Sequence, residues 1–317
     1  MTAYFNILVT SISKKVPLLN SLRRSIGNLN LKGKLFGGDS NAHCIGRYFV
    51  DEFWLMPLQD NLDIEELINF CKQNGINGII PSRDGELHFF STHQERLSKE
   101  GISCMISKPK TIETCSNKLL FCEFLSPFKF PVIPTATDIS LIPGPSFVVK
   151  ECFGSGSHTI GLNLNEFQAQ SWSKNLKDPI FQPFIEGKEY SIDIYITRQN
   201  TPHGAIARIR ELVVDGESQM TVSVRHKEME ALCLKAAIHI GICGHAVFQV
   251  LCDSANRLHL IECNPRFGGA STLSVVMGLH SLEWFIQESL NQPLPPFVRS
   301  TIEMRQVRYA KDKVFPI

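Results

Sequence analysis

Residues Leu258–Gly269, Leu-His-Leu-Ile-Glu-Cys-Asn-Pro-Arg-Phe-Gly-Gly, constrain this chain more than any other stretch. The apolar start reads as a buried strand. Beyond it Glu262 and Asn264 stand two apart, so both side chains project from one face of the extended chain. A carboxylate and an amide at a strand end are oxygen donors of the kind that Mg²⁺ takes, with water and phosphate oxygens completing the shell. Pro265 stops the strand, Arg266 sets a permanent cation beside the two ligands, and Gly268–Gly269 lets backbone approach a ligand closely. The same letters also fit an ordinary strand end before a turn, so the rest of the chain has to decide.

Upstream, Gly244–Leu251 reads as a strand in which Gln249 is the odd polar residue, and Asp253–Arg257 turns it back into Leu258–Glu262. That hairpin sets Gln249 beside Glu262, close enough to share one ion. Phe147–Lys150 is a strand ending in a lysine, and it runs into Phe153-Gly-Ser-Gly-Ser-His-Thr-Ile-Gly161. Glycines and small hydroxyl residues let successive backbone N–H groups form an anion-binding nest, to which Lys150 adds charge. A GSGS run is also a common flexible linker; a Walker loop is absent. Thr111–Leu125 reads as one helix with Asn117–Lys118–Leu119 near its middle, where a lysine is ordinarily solvated.

Ile180–Ser191 reads as a strand, a short turn and a second strand continuing through Ile196. Either it crosses between lobes, offering backbone groups to a purine edge and Glu189 to a ribose, or it is a plain hairpin. Ala205–Arg210 and Val213–Val214 look like paired strands, with Arg208 and Arg210 on one face. Such a pair is either solvated or aimed at an anion.

The first eighty residues alternate strand and helix: Phe5–Thr10, Lys14–Ser25, Leu31–Phe36, Asp63–Asn74 and Ile76–Pro81. This pattern predicts a small doubly wound parallel sheet. It lacks GxGxxG, so no dinucleotide is expected there. Gly37–Gly38–Asp39 and Ser82–Glu86 fall just past strand ends, as substrate-facing residues or as caps. Further on, Glu228–Ile240, Ser271–Gly278 and Leu282–Leu290 predict helices, the last two covering a sheet, and Gln306–Tyr309 a late strand.

Length matters here because 317 residues allow two or three lobes. A formal charge of +1 gives no field for nucleic acid or a membrane surface. Apolar stretches are all cut short of the ~20 residues of a membrane span, and no signal-peptide pattern opens the chain. Ten cysteines are scattered without paired spacing, which predicts reduced, mostly buried thiols and a cytoplasmic location.

In this order the segments resemble the ATP-grasp superfamily, in particular its carbamoyl-phosphate-synthetase-like branch of carboxylate–amine ligases. The resemblance implies an α/β chain with the ATP-grasp fold: an N-terminal doubly wound parallel-sheet lobe over residues 1–106, a small α+β lid lobe with a glycine-rich loop over 107–182, and a C-terminal α+β lobe with an antiparallel sheet over 183–317. Lys118 and Lys150 then contact phosphates, with Gly154, Ser155, Gly156 and Ser157 in the mobile loop. Gln182, Phe184 and Ile185 frame the adenine, and Glu189 takes the ribose. Gln249, Glu262 and Asn264 match the magnesium ligands, although many relatives carry an acid where Gln249 stands. Arg266 matches the phosphate-stabilising arginine, and Arg210 sits where relatives often contact substrate or phosphate. The cofactors implied are ATP and Mg²⁺ or Mn²⁺, and the substrates a small carboxylate and an amine joined through an acylphosphate. No nucleic-acid or membrane partner is expected, and a homodimer stays open. A phosphotransferase and a silent nucleotide-binding regulator are the rival readings.

Overall fold

The structure is a computed structural model that describes residues 4–154, 160–214 and 216–315. Strands β1 (Asn6–Thr10), β2 (Leu35–Asp39), β3 (Glu52–Leu55), β4 (Ile76–Ile80) and β5 (Ser103–Cys104) form a parallel sheet in the order β3-β2-β1-β4-β5. Every residue of β1 and β2 is buried, as expected where helices cover both faces. The second strand starts at Leu35 rather than Leu31 and takes in the glycines read as its exit. Packing explains this: a Cβ on Gly37 would lie 2.4 Å from Ile12 Cδ1, so the strand needs glycine to sit there. The helix Asp84–Thr92 and the half-exposed β3 have weak periodicity and escaped the sequence reading.

Three antiparallel strands, β6 (Phe147–Glu151), β7 (Gly161–Leu164) and β8 (Pro179–Pro183), make a second sheet ordered β7-β6-β8. The third holds β9 (Gly187–Ile196), β10 (Pro202–Val214), β11 (Glu217–Val224), β12 (Gly244–Asp253), β13 (Leu258–Asn264) and β14 (Arg305–Val307), ordered β13-β12-β9-β10-β11-β14. Residues 205–214 therefore lie in one strand, not a pair; the chain turns only after Val214, at Gly216, whose φ is +74°. β8 and β9 join different sheets, so the segment between them crosses over and is no hairpin. Gly187 is required at that crossing, since a Cβ there would meet the Cys252 carbonyl oxygen at 2.5 Å.

Period-two alternation divides the large sheet into two faces. Ile192, Ile194, Ala205, Ala207, Ala246 and Phe248 pack against Met229, Cys233 and Ala236 of the helix Lys227–Ile240. The intervening residues point the other way, Tyr195 and Ile206 packing with Leu273, Met277 and Trp284. Of the two late helices, Ser281–Ser289 does more than cover its own sheet: Leu282, Phe285 and Ile286 share a core with Ile7 and Leu19, while Trp284 packs with Tyr195. Thr111–Leu125 is two helices, Pro109–Ser116 and Lys118–Leu125. Asn117 breaks them, extended at φ −113° and ψ 110°, and its side chain accepts the Leu120 N–H at 2.9 Å. All ten cysteines are free thiols and eight are buried. Among the described residues no helix is long and apolar enough to cross a membrane.

Candidate active site

The face of the large sheet turned from its helix floors a cleft of ≈ 960 Å³. Pairing aligns Arg208 with Ser191, Ser191 with Gln249, and Gln249 with Glu262, one row across four strands. The next row ends at Val247 and Asn264. Gln249, Glu262 and Asn264 thus face the cleft together, and Asn264 Nδ2 donates to Glu262 Oε1 at 3.1 Å. One carboxylate and two amides are hard donors that suit a Mg²⁺ ion finishing its shell with phosphate and water. They do not make an all-protein cage, and among the described residues no group of three or more His, Cys, Asp or Glu gathers to form one.

The opposite wall comes from the small sheet. Lys118 opens its helix because of the break at Asn117, and its Nζ donates to the Gly154 carbonyl at 2.8 Å while standing 4.0 Å from Glu262. Lys150 is buried on β6. Burial lowers its ammonium to about 8, with Glu262 pulling it back up and Lys118 pushing it further down. Gln182 on β8 donates to Thr135 Oγ1 at 2.8 Å, and the Phe184 N–H donates to the Ser146 carbonyl at 2.9 Å, which brings Phe184, Ile185 and Glu189 to the rim. Gly154 lines the cleft; Ser155, Gly156 and Ser157 lie outside the described residues.

Arg266 reaches the parallel sheet's lobe and makes a two-pronged ion pair with Asp84, its Nε donating to Oδ1 at 2.6 Å and its Nη2 to Oδ2. Lys15, after β1, lines the same end; burial and then Arg266 lower its pKa. The loops past the strand ends separate into two roles. Asp39 accepts the Ser13 N–H at 2.8 Å and the Asn41 N–H at 2.9 Å, and Glu86 accepts from Thr10, Ser11, Ser82 and Arg83, so both cap turns. Burial raises the Glu86 carboxyl, against those hydrogen bonds. Asp84 alone of these acids lines the cleft.

Arg210 lies in the cleft wall, donating to Ser218 Oγ at 3.0 Å, Gly216 O at 2.7 Å and Glu189 at 3.3 Å. The ribose candidate and the catalytic candidate are therefore paired with each other. Arg208, which the resemblance left without a role, is 2% exposed and paired through Nε with Asp193. Burial alone would raise the Asp193 carboxyl; Arg208 above all, and then His245, hold it well below the usual range. Neither Asp193 nor His245 has a motif to mark it. Their signal is a polar residue on the period-two face of an apolar strand.

A parallel lobe followed by two antiparallel sheets that grip a cleft between them is the ATP-grasp fold. Residues 175–312 match the family model described as ATP-grasp in the biosynthetic pathway with Ter operon, and residues 7–105 match that of the PylC-like N-terminal domain. No curated protein matches in sequence. Among solved structures, the biotin carboxylase domain of Hydrogenobacter thermophilus 2-oxoglutarate carboxylase, complexed with MgADP, ADP and bicarbonate, superposes with a TM-score of 0.78 at 17% identity, over 97% of this chain and 75% of that one. The ADP complex of Staphylococcus aureus N5-carboxyaminoimidazole synthetase gives 0.73 at 18% identity, over 93% and 80%. Campylobacter jejuni biotin carboxylase gives 0.70 at 16% identity, over 92% and 72%. The chain therefore has the ATP-grasp fold, and its residues 175–312 match an ATP-grasp family model.

Proposed function

We propose that this protein is an ATP- and Mg²⁺-dependent carboxylate–amine ligase. The observation that carries the reading is the meeting of Lys118 from a helix and Lys150 and Glu262 from two sheets across one cleft, with Gln249 and Asn264 on the same floor. The similar structures, which hold ADP or MgADP, support it. Mg²⁺, held by Gln249, Glu262 and Asn264, would neutralise charge on the transferring phosphoryl group. Phosphoryl transfer asks for placement and charge rather than a protein nucleophile. Lys118 and Lys150 bind the phosphates, Gln182 and the Phe184–Ile185 segment orient the base, Glu189 takes the ribose, and Arg266 faces the oxygens that gain charge.

A substrate carboxylate oxygen attacks the γ-phosphorus and ADP leaves. The amine nitrogen then attacks the acyl carbon of the acylphosphate, phosphate leaves, and the nitrogen gives up its proton. Excluding water protects that intermediate, a task suited to the glycine-rich segment from Gly154. An ADP-release screen of amino acids in pairs tests the reading, with hydroxylamine as the trap. A hydroxamate is expected; a stable phosphate ester in its place would make the protein a phosphotransferase.

A further inference from the structure

Arg208 and Arg210 stand two apart on β10 and both line the cleft, yet they differ in what is left for a ligand. All three nitrogens of Arg210 already donate, to Ser218, Gly216 and Glu189. Arg208 spends Nε on Asp193, and neither of its terminal nitrogens donates a hydrogen bond to any described residue. The little surface it keeps opens on the cleft beside Gly268, where a Cβ would lie 3.7 Å from Nη2. A guanidinium only 2% exposed, whose unspent N–H groups keep their small surface on the cleft, is placed to take an anion there.

The fork is held in this position. Asp193, which holds it, also accepts from Ser271 Oγ and from Ser274 Oγ at 2.5 Å, and lies 3.2 Å from His245 Nε2. Ser271 Oγ in turn accepts the Gly268 N–H at 2.8 Å, so the same carboxylate fixes the arginine and the backbone facing it. Arg208 is three strands from Glu262 in one row, about 14 Å between backbones at the usual strand spacing. The reacting carboxylate belongs at the Glu262 end of that row.

We propose that Arg208 recognises a second acidic group, a carboxylate carried several atoms from the reacting centre by one of the two small substrates. Its terminal nitrogens match a carboxylate two-pronged. The inference rests on the ligase reading and adds a substrate class to it: either the donor is a diacid, or the amine is an amino acid held by its own carboxylate.

Titration calorimetry separates these sources. Wild-type protein is titrated first with Mg-ADP, then, in its presence, with glutarate against butyrate and with glycine against methylamine. A preference for glutarate assigns the fork to the donor, and a preference for glycine assigns it to the amine. Arg208→Lys keeps the charge on Asp193 but cannot span two oxygens, and should cut the preferred probe's affinity about tenfold or more. Should that variant not fold, the neutral double variant R208M/D193N is read in the same way. Equal affinities within both pairs, or a preference that survives substitution, overturns the proposal. Failure of the wild type to bind Mg-ADP would instead sink the ligase reading, so the two failures are told apart.

Discussion

Two regions of the cleft handle charge in opposite ways. At the end proposed for the phosphates Lys118, Lys150 and Glu262 face one another across the gap, and Glu262 and Lys118 act in opposite directions on the Lys150 ammonium. Elsewhere in the cleft wall each arginine has its own acid: Arg266 has Asp84, Arg208 has Asp193, and Arg210 has Glu189. Charges that face a ligand set how tightly it binds and at what pH, whereas a carboxylate behind a cation sets only where that cation points. Substitutions in the first region should therefore act on binding and turnover directly, and those in the second through geometry.

The largest expected effect is at the phosphate end. Glu262→Ala should lower ADP release by a few hundredfold, about 3 kcal/mol of transition-state stabilisation, with the melting temperature little changed. Wild-type turnover in the purified variant would remove Glu262 from the metal set. Next is a pH effect. The free Lys150 ammonium loses its proton near 8 rather than at the ordinary 10.5, and a bound phosphate favours the charged form. ADP binding should take up a proton and weaken as pH rises past about 8, by at most tenfold per unit; calorimetry should find the slope flattened in Lys150→Met. Stability of the free protein runs the other way. The unfolded chain holds more protons between those two values, so this lysine's contribution rises with pH there.

Asp84→Asn tests the arginine pairs. It should reduce kcat roughly tenfold by loosening Arg266, with KM for ATP nearly constant and the melting temperature only slightly lower, since the acid of the pair is 35% exposed. A fall in melting temperature without a fall in kcat would mean that the pair only joins the lobes. The smallest effect is a gain: Gln249→Glu adds a carboxylate beside Glu262 and should lower the Mg²⁺ concentration for half-maximal ADP release several-fold. An unchanged Mg²⁺ titration would show that position 249 does not reach the metal.

How far the sequence carried the reading follows the same division. Glu262, Asn264 and Arg266 were legible because they share one strand end, and Gln249 because a short turn dictates its register. The parallel sheet of the first lobe was legible from the alternation of strand and helix, but the break at Asn117 was not, since an extended residue between two helices leaves the apolar spacing almost intact. Ser82–Glu86 carried both roles at once, with Glu86 turned inward as a cap and Asp84 outward to the cleft. The resemblance singled out Arg210 and passed over Arg208, because what separates them is made by Asp193, Glu189, Gly216 and Ser218, contacts that no local pattern records.

The ion pair between Arg266 and Asp84 spans 182 positions of chain. It makes the first lobe part of the cleft wall and not a detachable accessory. A chimera that grafts a relative's opening lobe onto this chain would have to bring both an acid at that turn and a core surface that accepts Leu282, Phe285 and Ile286.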